Sequence, residues 1–270
     1  MISRKEYTIS DRTCFLYQDE AVKYLLIQPI DEHDLEVLDQ EVEAIKELSD
    51  KPFSLVAFMI KDWNQELTPW VAPPVFDKAA IKREESELVQ IPEREQSRPK
   101  VKAPFGDGAE KTLKFITSQL LPEVQENIPH LILGGYSLAG LFALWAGYQT
   151  DLFEGIAAAS PSVWYPQWID YASENKPLAK SIYLSLGDKE EKAKNRWNSE
   201  SHQTRLNGRV VTEVGKANPV MAQVGNAIRK QHELLTEQEI KTILEWNAGN
   251  HFVDSDKRLA KGFAWAINNL

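Results

Sequence analysis

The chain is short of cysteine, of histidine and of positive charge: one Cys, five His, and 31 Lys and Arg against 40 Asp and Glu in 270 residues. Each shortage excludes something. A single thiol, Cys14, forms no intrachain disulfide, and with no motif around it the expected role is a small buried apolar side chain in a reducing compartment. The net charge of −9 argues against nucleic acid, whose partners present a basic surface. No apolar run approaches the length needed to cross a bilayer. The first residues, Met1-Ile2-Ser3-Arg4-Lys5-Glu6-Tyr7, lack the apolar stretch of a secretory signal. The expectation is a cytoplasmic protein with no membrane and no nucleic-acid partner. No cluster of His, Asp and Glu has zinc-ligand spacing, so no metal is expected. Gly106-Asp107-Gly108-Ala109-Glu110-Lys111-Thr112 glances at a phosphate loop, but Phe105 and Glu110 stand where glycines are required, and a helix start explains it better.

What is present suits one large α/β domain over residues 1–270: 43% hydrophobic residues and eight tryptophans are ample for a core. Strand-like and helix-like segments alternate. Residues 21–27 are rich in Val, Tyr, Leu and Ile, and 34–49 place Leu35, Leu38, Val42, Ile45 and Leu48 on one helical face. The near-continuous apolar run 53–60 predicts a strand covered on both faces. A helix is predicted over 109–121, stopped before Pro122. Short buried strands follow at 155–159 and 181–186, then a helix over 220–235, a last strand at 241–246, and a C-terminal amphipathic helix marked by Leu259, Phe263 and Ile267. This rhythm predicts a mostly parallel central sheet with helices on both faces. Two polar insertions, near 79–103 and 192–218, break it and are expected to be solvated loops, with a cap over a site as the alternative.

The strongest motif is His130-Leu131-Ile132-Leu133-Gly134-Gly135-Tyr136-Ser137-Leu138-Ala139-Gly140-Leu141. An apolar strand meets two glycines, one serine among small residues, and a helical pattern. That is the pattern of a nucleophile elbow, in which a tight strand-to-helix turn lifts the hydroxyl clear of the backbone. Small residues are needed two before and two after the serine, because strand and helix cross there, and Gly135 and Ala139 meet that need.

A serine hydroxyl needs a base, and the base needs a carboxylate to orient it. On this kind of fold they follow in the order serine, acid, histidine. His251, in the glycine-containing loop Asn247-Ala248-Gly249-Asn250-His251-Phe252 after the last strand, is the expected base, whereas His232 sits on a solvated helix face. The acid is expected after the strand ending at Leu186, in Gly187-Asp188-Lys189-Glu190-Glu191. Glu190 has the reach to swing under an imidazole and is preferred. Asp188 is the alternative, otherwise bracing the turn. One oxyanion donor should be the backbone N–H of Leu138; the other is expected from Lys61 or Asp62, in the loop that begins Ile60-Lys61-Asp62-Trp63-Asn64. Trp63, Trp70, Trp164, Tyr165 and Trp168 are candidate walls of an apolar acyl or aryl pocket, with core packing as the competing role.

The elbow segment, Ser160-Pro161-Ser162-Val163-Trp164, Ser185-Leu186-Gly187-Asp188-Lys189-Glu190, Gly249-Asn250-His251-Phe252 and Asp62-Trp63-Asn64-Gln65-Glu66-Leu67-Thr68-Pro69-Trp70 together resemble an esterase family. It includes esterase D, feruloyl esterases, siderophore trilactone esterases and mycolyltransferases. The resemblance runs from about Phe53 to the end of the chain. It implies an α/β-hydrolase fold, Ser137 as nucleophile, His251 as base and Glu190 as acid, with no cofactor and a small-molecule ester as partner. Ala139 departs from the family's second glycine, and the two polar insertions look longer than the pattern. The expected activity is hydrolysis of a carboxylic or thiol ester through an acyl-enzyme. The rivals are an acyltransferase with the same nucleophile and a non-catalytic binding module on the same scaffold.

Overall fold

The computed structural model describes residues 4–19, 22–72, 105–124, 128–190, 202–206, 209–213 and 224–270. Eight strands form one sheet in the order β1-β2-β4-β3-β5-β6-β7-β10. In chain order these are β1 (Arg4–Ile9), β2 (Arg12–Tyr17), β3 (Tyr24–Ile30), β4 (Phe53–Met59), β5 (His130–Tyr136), β6 (Gly155–Ala159), β7 (Ser181–Gly187) and β10 (Lys241–Asn247). From β4 to β10 all neighbours run parallel. The β1–β2 pair and the β2–β4 pair are antiparallel, so the sheet is a parallel core extended by an N-terminal hairpin. This is the α/β-hydrolase architecture. Among the described residues, no helix is long and apolar enough to cross a membrane.

The strands at the middle of the sheet are buried along their whole length, as expected where helices cover both faces. Alternate residues serve opposite faces. Leu25 and Ile27 join Leu133 and Leu184 in one cluster with Leu141, Phe142 and Trp145 of α5 (Leu138–Gln149) and Ile228 and Leu235 of α7 (Val224–Glu237). Leu26, Leu55, Ile132 and Ala157 face the other way. They pack on Leu38, Val42 and Ile45 of α1 (Glu32–Leu48) and on Leu259, Phe263 and Ile267 of α8 (Ser255–Asn268). Asp31 starts α1 by accepting from the backbone N–H groups of His33 and Asp34, while the Asp34 carboxylate accepts from Asp31 N–H.

Two expectations need correcting, and one element was not anticipated. The helix over 109–121 does not stop before Pro122. It runs as α3 (Ala109–Phe115), changes to a π-helical stretch (Ile116–Leu120), and continues as α4 (Leu121–Val124), which contains the proline. The π turn resets the ladder just where the proline has no N–H to give, so the helix tolerates it. The N-terminal hairpin carried no apolar alternation to announce it, since β1 is exposed at nearly every position. The polar insertion near 192–218 contains a two-stranded antiparallel hairpin, β8 (His202–Leu206) with β9 (Arg209–Glu213), instead of loop alone. The insertion near 79–103 lies outside the described residues.

A buried acid sits on the inner face of α1. Glu41 is 3% exposed, faces the equally buried Gln28, and has Asp34 close enough to repel its charge. Burial and that repulsion push its carboxyl well above the usual range, so the folded protein favours the neutral form. A raised carboxyl pKa lends stability that is complete at acid pH and fades as pH rises through the folded value. Glu41→Gln is therefore expected to raise Tm by a few degrees at pH 8 and to leave it unchanged near about pH 4, measured by thermal unfolding across pH.

Candidate active site

The elbow forms as its residues require. Strand β5 ends at Tyr136 and α5 begins at Leu138; Ser137, between them, has φ 57° and ψ −118°. A non-glycine residue in that region costs about 1–3 kcal/mol and persists only where its surroundings enforce it. Three backbone bonds do so. Ser137 N–H donates to Ala159 O at 3.1 Å, while Leu141 and Ser162 N–H donate to Ser137 O, each at 3.0 Å. Strand and helix cross so closely that a Cβ on Gly135 would lie 2.5 Å from the Ala139 carbonyl carbon and 2.6 Å from its Cβ. Gly135 is thus obligatory, and alanine at 139 is admitted only because position 135 has no side chain.

Ser137 Oγ lies 3.1 Å from His251 Nε2, and His251 Nδ1 lies 2.8 Å from Glu190 Oε2. Serine, imidazole and carboxylate are thus in one line, delivered from the ends of β5, β10 and β7. Tyr136 OH donates to His251 O at 2.8 Å and fixes the histidine backbone beside the elbow. The second carboxyl oxygen of Glu190 is fully occupied. It accepts from Gly187 N–H at 2.8 Å, Ser160 Oγ at 2.9 Å and Arg258 Nη1 at 3.1 Å. Burial alone would push the Glu190 carboxyl up. The His251 contact, the Gly187 N–H and the Ser160 hydroxyl outweigh it and hold the carboxyl below its ordinary value, so it is ionised at neutral pH. Asp188 does not reach the imidazole. Its Oδ1 accepts from Gly249 N–H at 2.9 Å, bracing the histidine loop against the end of β7.

Leu138 N–H opens α5 immediately after Ser137, and no hydrogen bond engages it among the described residues. The expected second donors are placed differently. Lys61 N–H and Asp62 N–H both donate to Glu66 Oε1, at 3.0 and 2.8 Å, and Glu66 is itself paired with Arg12. The carboxylate that closes α2 (Trp63–Glu66) thus takes both amides, so neither is free to hold an oxyanion. A second hydroxyl, Ser162 Oγ, lies 3.4 Å from Ser137 Oγ.

The candidate pocket aromatics divide. Tyr165 and Trp168 are core residues, 2% and 0% exposed. The Tyr165 hydroxyl bonds Trp70 O, and Trp168 Nε1 donates to Gln231 Oε1 at 2.8 Å. Trp70 packs among Tyr165, Trp168 and Tyr171 and donates Nε1–H to Pro166 O at 2.9 Å. Tyr165 and Trp168 thus belong to the packed layer beneath the loops, and Trp70 rests on that layer from a partly buried position. Trp63 and Trp164 are only partly buried. Phe252, next to His251, is 89% exposed with its ring 5.4 Å from the imidazole. Among the described residues, no group of three or more His, Cys, Asp and Glu could hold a metal ion.

Arg258 was not legible as part of the site. It is 1% exposed and reaches the acid from α8. Its signal is a charge at 258 on the helical face shared with the buried Gly262 and Ala266.

A family model described as Putative esterase matches residues 63–253. Among solved structures the chain is similar to an IroE-like serine hydrolase from Shewanella oneidensis (TM-score 0.63, 13% identity, 97% of this chain and 79% of that one). It is also similar to two siderophore hydrolases from Aspergillus nidulans. EstB gives a TM-score of 0.60 and 17% identity over 97% of this chain and 93% of that one. EstA gives 0.60 and 17% over 99% and 94%. At such identities the likeness speaks for the fold. No curated protein matches the sequence. The matched span contains the elbow, the acid turn and the histidine loop, and on it the chain belongs to the Putative esterase family of α/β-hydrolases.

Proposed function

We propose that this esterase hydrolyses a small-molecule carboxylic or thiol ester through an acyl-enzyme on Ser137. The observation that carries the reading is the line Ser137 Oγ–His251 Nε2–Glu190 Oε2, with separations of 3.1 Å and 2.8 Å along it. In this reading the Ser137 oxygen attacks the acyl carbon while its proton passes to His251 Nε2. Glu190 stays ionised, holds the Nδ1 proton and stabilises the imidazolium. The tetrahedral oxyanion takes the Leu138 N–H. A second donor comes from outside the Lys61 and Asp62 pair. The imidazolium returns its proton to the departing alcohol or thiol as the carbon–oxygen or carbon–sulfur bond breaks. Water then attacks the acyl-enzyme, gives its proton to the same imidazole, and the acid leaves as Ser137 recovers its hydrogen.

Trp164, two residues past Ser162, and Trp63 supply the apolar side of the acyl pocket. Phe252 is the exposed aromatic rim on the histidine side. The similarity to solved siderophore hydrolases supports siderophore esters as one substrate group to include in a screen.

The test is a panel of aryl esters of rising acyl length, thioesters and a trilactone, each run in ¹⁸O water. Release of the acid with one solvent oxygen is the expected result for at least one of the panel. A folded enzyme that turns over none of them, or that forms product only by passing the acyl group to an added alcohol, contradicts the reading.

A further inference from the structure

The Arg258 guanidinium is held through both terminal nitrogens by the groups that position the base and the acid. Nη1 donates to Glu190 Oε1 at 3.1 Å, to Tyr136 OH at 3.0 Å and, more weakly, to Ser160 Oγ at 3.4 Å. Nη2 donates to Ala248 O and Asn250 O, both at 3.0 Å, which are the carbonyls of the loop that ends in His251. One planar group thereby joins the ends of β5, β6 and β7 to the histidine loop, starting from α8. The slot is shaped for it. A Cβ on Gly187 would come 2.9 Å from Nη1, and one on Gly249, already at φ 105°, would come 3.3 Å from Nη2.

We propose that Arg258 is a positioning residue of the hydrolytic site, a buried fork that fixes Glu190 and the His251 loop in a single register. This rests on the reading of Ser137, His251 and Glu190 given above. Its two arms do different work. Through Nη1 it neutralises part of the Glu190 charge and turns Oε2, the free oxygen, toward the imidazole. Through Nη2 it holds the two carbonyls that set where His251 leaves the loop. A buried ion pair of this kind adds little net stability, because desolvation offsets the attraction; what it supplies is geometry, and reaction rate responds steeply to geometry. Arginine is required because the planar fork makes both sets of bonds at once, whereas a lysine ammonium is a single point. Among the described residues, the titratable and charged groups around the Glu190–His251 pair are Tyr136 from β5, Asp188 at the end of β7, and Arg258 from α8.

The experiment compares Arg258→Lys and Arg258→Gln with wild type by kcat, KM and the pH profile of kcat/KM on an ester from the panel, with near-ultraviolet circular dichroism to verify the fold. Arg258→Lys is expected to lower kcat by about 10²-fold with KM changed less than about threefold, since the ester never touches this residue. In Arg258→Gln the Glu190 charge is no longer shared, the imidazolium is held more tightly, and the acid limb is expected to move to higher pH; lysine should return it toward the wild-type position. A merely structural role would lower Tm and leave the limb in place. A lysine variant with wild-type kcat, or a folded glutamine variant with an unmoved limb, overturns the proposal. If the glutamine variant does not fold, kcat of the lysine variant decides alone. Failure of the underlying reading looks different: wild-type hydrolysis would then not depend on Ser137 at all.

Discussion

Replacing Ser137 by alanine is expected to lower kcat on an aryl ester by about 10⁴- to 10⁶-fold while leaving circular dichroism and Tm unchanged. The two halves of the result have separate causes. The hydroxyl makes no bond on which the elbow depends. The turn is held by Ser137 N–H on Ala159 O and by Leu141 and Ser162 N–H on Ser137 O, all of which alanine retains. Alanine also meets the positive φ no worse than serine does. What disappears is the oxygen 3.1 Å from His251 Nε2 at the mouth of α5. His251→Ala should cost a similar factor, and the double variant little more than either, because nucleophile and base act as one unit. A Ser137→Ala enzyme retaining even a tenth of wild-type turnover would place the reaction elsewhere.

Glu190 gives the second large effect, and its two oxygens make glutamine and alanine fail differently. Oε1 receives donors from Gly187, Ser160 and Arg258, so in Glu190→Gln the amide oxygen must stay on that side. The amide nitrogen then faces His251 Nδ1 and donates to it, which puts the ring proton on Nε2. That tautomer cannot accept from Ser137, and kcat is expected to fall by about 10⁴-fold with the fold intact. Glu190→Ala removes the partner of a guanidinium that is itself 1% exposed. An uncompensated buried charge costs about 3–5 kcal/mol, so this variant should also unfold at lower denaturant concentration. The pH dependence follows the same logic. The Glu190 carboxyl is held below its ordinary value, so its contribution to stability is present above the unfolded value and is lost as pH falls through the folded one. Glu190→Gln should flatten that acid limb of the stability curve. Equal kcat losses with equal stability losses in both variants would deny the carboxylate its orienting role.

The parts of the molecule legible in the sequence are those where burial dictates composition. The apolar runs at β6 and β7 stand as strands Gly155–Ala159 and Ser181–Gly187, because a strand covered on both faces has no room for polar residues. The elbow was legible because it is a steric problem with few solutions, and Gly135 shows why. Glu190 and Asp188 could be told apart only by reach, and their roles in space, one on the imidazole and one on Gly249 N–H, need the fold. Other features had no local signature. The exposed strand β1 owes its place to pairing with β2, not to its own pattern. Glu66 takes the amides of Lys61 and Asp62 because Arg12 brings it there from a different strand. Tryptophan 168 gave composition but not direction: it opens a helix, and only packing turned it inward. Arg258 hides in an ordinary amphipathic helix, where a charge beside a leucine reads as solvated unless the helical face is followed to Gly262.

The most direct measurement is intact-protein and peptide mass spectrometry after exposure to a fluorophosphonate, which reacts with a serine only when a neighbouring base has activated it. The account predicts one adduct, on the peptide containing Ser137, formed by the wild-type protein and lost in both Ser137→Ala and His251→Ala. A folded wild-type protein that takes no adduct, or an adduct on Ser137 that forms equally fast without His251, would contradict it.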